Sequence, residues 1–185
     1  MASAEQYLNR ANVRLEALLD EASLQEERLL RMRPEPQAWS PLQILQHLCL
    51  IDEQLCAFFR RKRAQQDYDP PPRTLRSRVL ASFVDPILRL PLKVKSPKMV
   101  DVSQDHPARL PDLQTLAHGL RSSRMALLEE MRRAPDAWSK KLPWRHPFLG
   151  GMSVNDTAKF IAAHQARHVR QFKRALAQNA RNDRR

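Results

Sequence analysis

Three glycines against 14 prolines in 185 residues leave this chain few ways to turn a tight β-hairpin, because two-residue hairpin turns need backbone angles that glycine adopts most cheaply. Helices joined by stiff, extended connections suit the same balance, since proline stops a helix and presets the linker that follows. An all-α fold is the expectation. At 42% hydrophobic residues the chain can bury one core, and its length fits one domain.

Periodicity places four long helices. Leu8, Ala11, Leu15, Leu18, Leu19, Ala22 and Leu29 recur at helical spacing and predict a first helix over residues 3–32, ended by Pro34 and Pro36. The second has a strong start: Ser40 as N-cap, Pro41 at the first helical position and Gln43 three residues after the cap. Its apolar set runs from Ile44 to Phe59 and fades near Arg63. Residues 111–133 form the third, through Leu113, Leu116, Ala117, Leu120, Leu127, Leu128 and Met131, closed by Pro135. The fourth starts at Ser153, with Asp156 completing another capping box, and continues to about residue 180. Residues 1–180 are expected as one domain and 181–185 as a basic tail.

Between the second and third helices lies a long proline-rich excursion, residues 65–110, with a short helix expected around residues 74–80. An excursion of this length is usually a functional cover or a semi-ordered segment, and Val84, Ile87, Leu88, Leu90 and Val94 are expected to pack it on the bundle. The pentapeptides Pro36-Gln37-Ala38-Trp39-Ser40 and Pro135-Asp136-Ala137-Trp138-Ser139 echo each other, each lying between the helices of one half. Trp39, Trp138 and Trp144 read as anchors of loops on the bundle.

The net charge of +12 favours anionic ligands and raises non-specific affinity for nucleic acid or membrane surfaces, without choosing among them. The runs Arg60 to Arg63 and Arg181 to Arg185 also fit plain solvated surface. No helix-turn-helix or zinc-finger spacing supports base readout. Cys49 and Cys56 stand two helical turns apart, about 10 Å, too far for a disulfide. They are expected as free thiols in a reducing compartment, the cytoplasm, with no membrane span.

The chemistry concentrates in histidine. His164 and His168, four apart, share one face of the last helix. That face continues the apolar stripe of Val154, Thr157, Ala158, Ile161, Phe172 and Ala175, whereas Lys159, Arg167, Arg170, Lys173 and Arg174 point elsewhere. Two imidazoles on a core face need partners, because an unsatisfied buried polar group costs on the order of 1–3 kcal/mol. The pair is either a satisfied core pair or part of a divalent-metal site. His47, beside Ile44, Leu48 and Ile51 at the edge of another inward stripe, supplies the third nitrogen that an open metal site requires. No carboxylate stands at ligand spacing beside them. Gln171 has two readings, a hydrogen-bond partner of a metal-bound water or ring nitrogen, or a structural side chain. His146 either approaches the open side of the metal or shapes the turn before Pro147. His118 and His106 read as surface.

Trp39-Ser40-Pro41-Leu42-Gln43-Ile44-Leu45-Gln46-His47-Leu48 resembles the second-helix motif of the DinB/YfiT-like superfamily. His146-Pro147-Phe148-Leu149-Gly150-Gly151-Met152-Ser153-Val154, followed by His164-Gln165-Ala166-Arg167-His168-Val169-Arg170-Gln171, resembles its fourth-helix region. The resemblance implies an up-down-down-up four-helix bundle, often a homodimer. It also implies a divalent metal, zinc or nickel foremost, on His47, His164 and His168. Several lineages of that superfamily are thiol-dependent transferases or isomerases.

Two function classes follow. One is a metal-dependent enzyme, an S-transferase using a low-molecular-weight thiol or a hydrolase, acting on a small-molecule substrate. The other is a non-enzymatic module that binds metal, anions or nucleic acid. No side chain looks like a protein nucleophile, so in the first class the chemistry rests on the metal and the co-substrate. A bundle with a relict site is the remaining possibility.

Overall fold

Side-chain caps start most of the helices. The computed structural model describes residues 3–89, 97–146 and 149–184. Four of its helices begin on reciprocal caps: α1 (Ala4–Ser23) on Ser3 and Gln6, α3 (Pro41–Ala64) on Ser40 and Gln43, α4 (Leu75–Ser82) on Thr74 and Ser77, and α7 (Val154–Asp183) on Ser153 and Asp156. Asp112 caps α6 (Leu113–Arg132) through the Thr115 amide. The short helices α2 (Glu27–Arg31) and α5 (Val84–Arg89) complete the set. Each reciprocal cap satisfies two amides that the helix cannot. Ser153 does more: its hydroxyl also donates to Asp156 Oδ2 at 2.7 Å, and Asp156 pairs with Arg73 at 2.7 Å. Ser153→Ala is expected to cost about 1–2 kcal/mol, read as a lower urea midpoint with an unchanged slope.

Four long helices form the bundle, and the polar contacts fix their directions. Along α1 and α7 contacts advance together: Ala4 N to Asn155 Oδ1 at 2.9 Å, then Gln165 Nε2 to Ala11 O at 2.7 Å. α3 and α6 also run parallel, through Asp52–Arg124 and then Arg60–Glu130. α1 and α6 run antiparallel, since Glu16 meets Arg121 while Glu5 meets Arg132. The order is therefore up-down-down-up, as the resemblance implied.

The first expected helix is broken. α1 stops at Ser23 and α2 begins at Glu27, leaving Leu24 83% exposed. The buried set Leu8, Ala11, Leu15, Leu18, Leu19 and Ala22 calls for an apolar residue at 25 or 26, where the chain has Gln25 and Glu26. Breaking there leaves Glu26 exposed and Gln25 half-buried, and returns Leu30 to the core. At the other end α7 runs three residues beyond the expected stop, so residues 181–183 of the basic tail are helical.

One hairpin does form, β1 (Trp144–His146) against β2 (Gly150–Met152). It uses two of the three glycines. Gly150 sits at φ +75°, and a Cβ on Gly151 would lie 2.8 Å from Leu142 Cδ1. The proline-rich excursion is ordered in two described parts. α4 and α5 lie against α7 and β2, with Val84 buried and Ile87 and Leu88 packed on the core. Leu90 and Val94 lie outside the described residues. Residues 97–110 cross the start of α3, burying Val100, Val102 and Leu110. Both Cys49 and Cys56 are free. No described helix is long and apolar enough to cross a membrane.

The apolar core falls into two clusters. One gathers Leu15, Leu18, Leu45, Leu48, Leu120 and Phe172; the other Leu8, Leu55, Phe59, Leu127, Met152 and Ile161. On α3, α6 and α7 the break between them is filled by Asp52, Arg124 and Gln165 respectively.

Candidate metal centre

His47, His164 and His168 come together where α3 faces α7. Each offers one ring nitrogen, and the three lie within 4.8 Å of one another. Ring centroids are 4.7 Å apart for His47–His168, 5.3 Å for His47–His164 and 4.4 Å for His164–His168. The Nε2 atoms of His164 and His168 stand 3.1 Å apart. Two nitrogens bound to one zinc at about 2.0–2.1 Å in tetrahedral geometry would be about 3.3 Å apart, so this pair already has nearly the spacing a shared ion demands.

His47 is oriented by the backbone. Its Nδ1 lies 2.6 Å from the Val100 carbonyl. A carbonyl can only accept, so Nδ1 carries the proton and the lone pair is on Nε2. That Nε2 is buried and has no hydrogen-bond partner, and neither has His168 Nδ1. Metal-binding histidines typically donate their other ring N–H, as His47 does to Val100. A buried imidazole nitrogen without a partner, beside two more imidazoles, fits a divalent cation well. Among the described residues no carboxylate joins the cluster.

Burial keeps the cluster neutral. Desolvation pushes His47 below the ordinary histidine value, only partly opposed by its bond to Val100 and by the Asp101 charge. His164 and His168 are driven well below it, first by burial and then by neighbouring positive charge, including that of Arg167. Neutral imidazoles are the form that ligates. His47 is 2% exposed and His168 6%. His164 is half-buried, the least covered of the three.

Aromatic rings wall the cluster. Trp39 lies 4.8 Å from His47 and nearly parallel to His168 at 6.1 Å. Phe160 lies 5.2 Å from His164. Trp39 thus packs on the histidines themselves, while Trp138 is buried beside Phe59 and Tyr68. His146 stands on β1, 4.7 Å from Phe160, and is not among the convergent three, although its charge is felt at His164. Its Nδ1 accepts the Leu149 amide at 3.2 Å, so it does shape the hairpin turn; Pro147 lies outside the described residues. Burial lowers its pKa to about 4. Gln171, one turn beyond His168, favours that ring's charged form. His106 and His118 are on the surface, His106 capping a short 3-10 turn.

A buried polar layer that no sequence motif announces links α3, α6 and α7. Arg124 Nε donates to Asp52 Oδ2 at 2.7 Å, and Arg124 Nη1 donates to Gln165 Oε1 at 2.8 Å. Gln165 then donates to Ala11 O. The signal was register: Asp52, Arg124 and Gln165 each occupy a position where their helix's apolar stripe calls for a core residue. The cysteines are inert by comparison, with burial pushing the Cys49 thiol up to about 12.

An up-down-down-up helical bundle with three convergent imidazoles defines a class of histidine-centred bundle proteins. The family model of the DinB superfamily matches residues 7–172, which include all three histidines, and the chain belongs to that superfamily. No curated protein and no solved structure matches it.

Proposed function

We propose that this chain is a metal-dependent enzyme that holds one divalent ion, zinc or nickel, through His47, His164 and His168. Its reaction on this reading is the transfer of a small electrophilic molecule onto a low-molecular-weight thiol, or the hydrolysis of such a molecule. The observation that carries the reading is His47 Nε2, a buried lone pair left without a partner and set beside two further imidazoles. A divalent ion supplies a nucleophile at neutral pH by acidifying a water or thiol.

The chain's own residues do the rest. Val100 holds His47 in the ligating tautomer. Trp39 and Phe160 exclude water from the flanks. On this reading a co-substrate enters beside His164, the half-buried member of the three. The high thiol pKa of Cys49 removes it as a competing nucleophile. The positive charge of the chain suits an anionic thiol.

Elemental analysis of purified protein should find about one zinc or nickel per chain in the wild type and none in the triple alanine variant. Metal-loaded protein, assayed with a panel of thiols and electrophiles, should turn over, lose that turnover in His164→Ala, and retain it when residues 181–185 are removed. Salt-sensitive DNA binding indifferent to all three histidines, with no stoichiometric metal, would sink the enzyme reading in favour of a binding module.

A further inference from the structure

Gln43 is wholly buried, and both of its side-chain polar atoms are hydrogen-bonded, with both amide hydrogens used. Its Oε1 accepts the Ser40 amide at 2.9 Å, which closes the cap of α3. A helix cap needs no more than that. Yet its Nε2 donates twice across the structure, to Val102 O at 2.6 Å and Asp105 O at 2.8 Å. Those carbonyls belong to residues 97–105, the strap that carries the Val100 carbonyl onto His47 Nδ1. His47 stands one turn beyond Gln43 on the same helix, so both ends of the strap contact rest on one rigid element.

The strap is turned locally by its own backbone, Val100 N donating to Pro97 O at 3.0 Å and Asp105 N to Val102 O at 3.2 Å, and these bonds do not tie it to α3. Val100 and Val102 are buried beneath it, and Asp101 Oδ1 accepts the Ser103 amide at 2.9 Å. From the outer side Arg33 Nη2 donates to Ser103 O at 2.8 Å and Asp105 O at 3.0 Å. The carbonyl that orients His47 is therefore delivered by a segment more than 50 residues away in sequence, pinned from within by one amide.

We infer that Gln43 is a positioning residue of the histidine centre: by pinning the strap it sets the Val100 carbonyl against His47 Nδ1 and leaves Nε2 free to ligate. The part concerning a ligand rests on the proposed metal reading; the part concerning the tautomer does not. Linkage adds a reciprocal effect. An ion on Nε2 strengthens the Nδ1–H bond to Val100, so occupancy protects the strap as the strap protects occupancy.

The test uses the full chain, labelled with nitrogen-15 histidine and freed of metal, with His47 assigned by its loss in His47→Ala. Wild-type His47 is expected as a single Nδ1–H tautomer. Gln43→Glu keeps an acceptor for the Ser40 amide but replaces the double donor with a carboxylate facing two carbonyls. It should show a second His47 tautomer, faster hydrogen exchange at residues 97–105, and zinc affinity lower by about 10–100-fold. Arg33→Met loosens the strap from its outer side without touching α3, and should move the same three readouts in the same direction; if it leaves all three at wild-type values the strap does not set the tautomer and the inference falls, whether or not Gln43→Glu folds. Ser40→Ala removes a cap bond of comparable stability and should leave tautomer and zinc affinity within about twofold. Wild-type tautomer and zinc affinity in Gln43→Glu, or equal losses in Ser40→Ala, overturn the inference. A wild-type protein that takes up neither zinc nor nickel overturns the metal reading alone, and the tautomer still decides the role of Gln43.

Discussion

Arg124→Ala is expected to lower the stability of the fold by about 3–5 kcal/mol, a large part of the roughly 5–15 kcal/mol that holds a domain of this kind together. Arg124 and Asp52 are 3% and 1% exposed, so water cannot replace the lost guanidinium. The deletion leaves the Asp52 carboxylate buried without a counter-charge, with its Oδ1 already lacking a partner, and strands Gln165 Oε1. The pH dependence of the variant follows from the same pair. Burial pushes the Asp52 carboxyl above the ordinary value, and Arg124 is the group that opposes it. Without Arg124 the folded state holds a proton that the unfolded chain releases above about pH 4, so stability falls as pH rises through that range and is partly recovered in acid. Asp52→Leu combined with Arg124→Met should regain most of the loss, because an apolar pair of similar volume avoids the desolvation. An unfolding free energy for Arg124→Ala, from urea titration, within about 0.5 kcal/mol of wild type would mean that the pair is not buried as described.

Metal-free protein should lose stability steeply in acid, beginning as the pH falls through about 6.5. His47, His146, His164 and His168 all have folded pKa values depressed chiefly by burial, His146 to about 4. Below 6.5 the unfolded chain takes up protons at these positions and the folded chain does not. The unfolded state therefore binds more protons, and stability falls with pH by about 1.4 kcal/mol per unit for each such histidine. The fall continues until the folded rings themselves protonate, which for His146 is near pH 4. Saturating zinc steepens the same trend, since protons compete for the nitrogens it occupies. Urea midpoints at about pH 7.5, 6.5 and 5.5, with His164→Gln/His168→Gln as a flatter control, measure it. A level wild-type profile across that range would place the imidazoles in solvent.

The inward pair on α7 was readable because helical periodicity is local: His164 and His168 fall on the stripe of Ile161 and Phe172 whatever packs against it. His47 was read at the edge of its stripe and is in fact buried, since the strap over it comes from residues 97–105 and covers a face that α3 alone would leave open. The broken first helix was also within reach. Gln25 and Glu26 stand where the stripe needs apolar residues, but the long run of good helix formers masks the interruption.

Helix starts at Ser40 and Ser153, the scarcity of hairpins and the inward direction of two histidines all follow from forces acting within a few residues, namely capping, backbone preference and side-chain period. Convergence of three rings, the Asp52–Arg124–Gln165 layer and the Val100 carbonyl on His47 belong to packing. A charged side chain signals nothing about the partner it will meet across 72 residues of chain, and a backbone carbonyl is the same in every residue, so only the assembled bundle could bring them to their places.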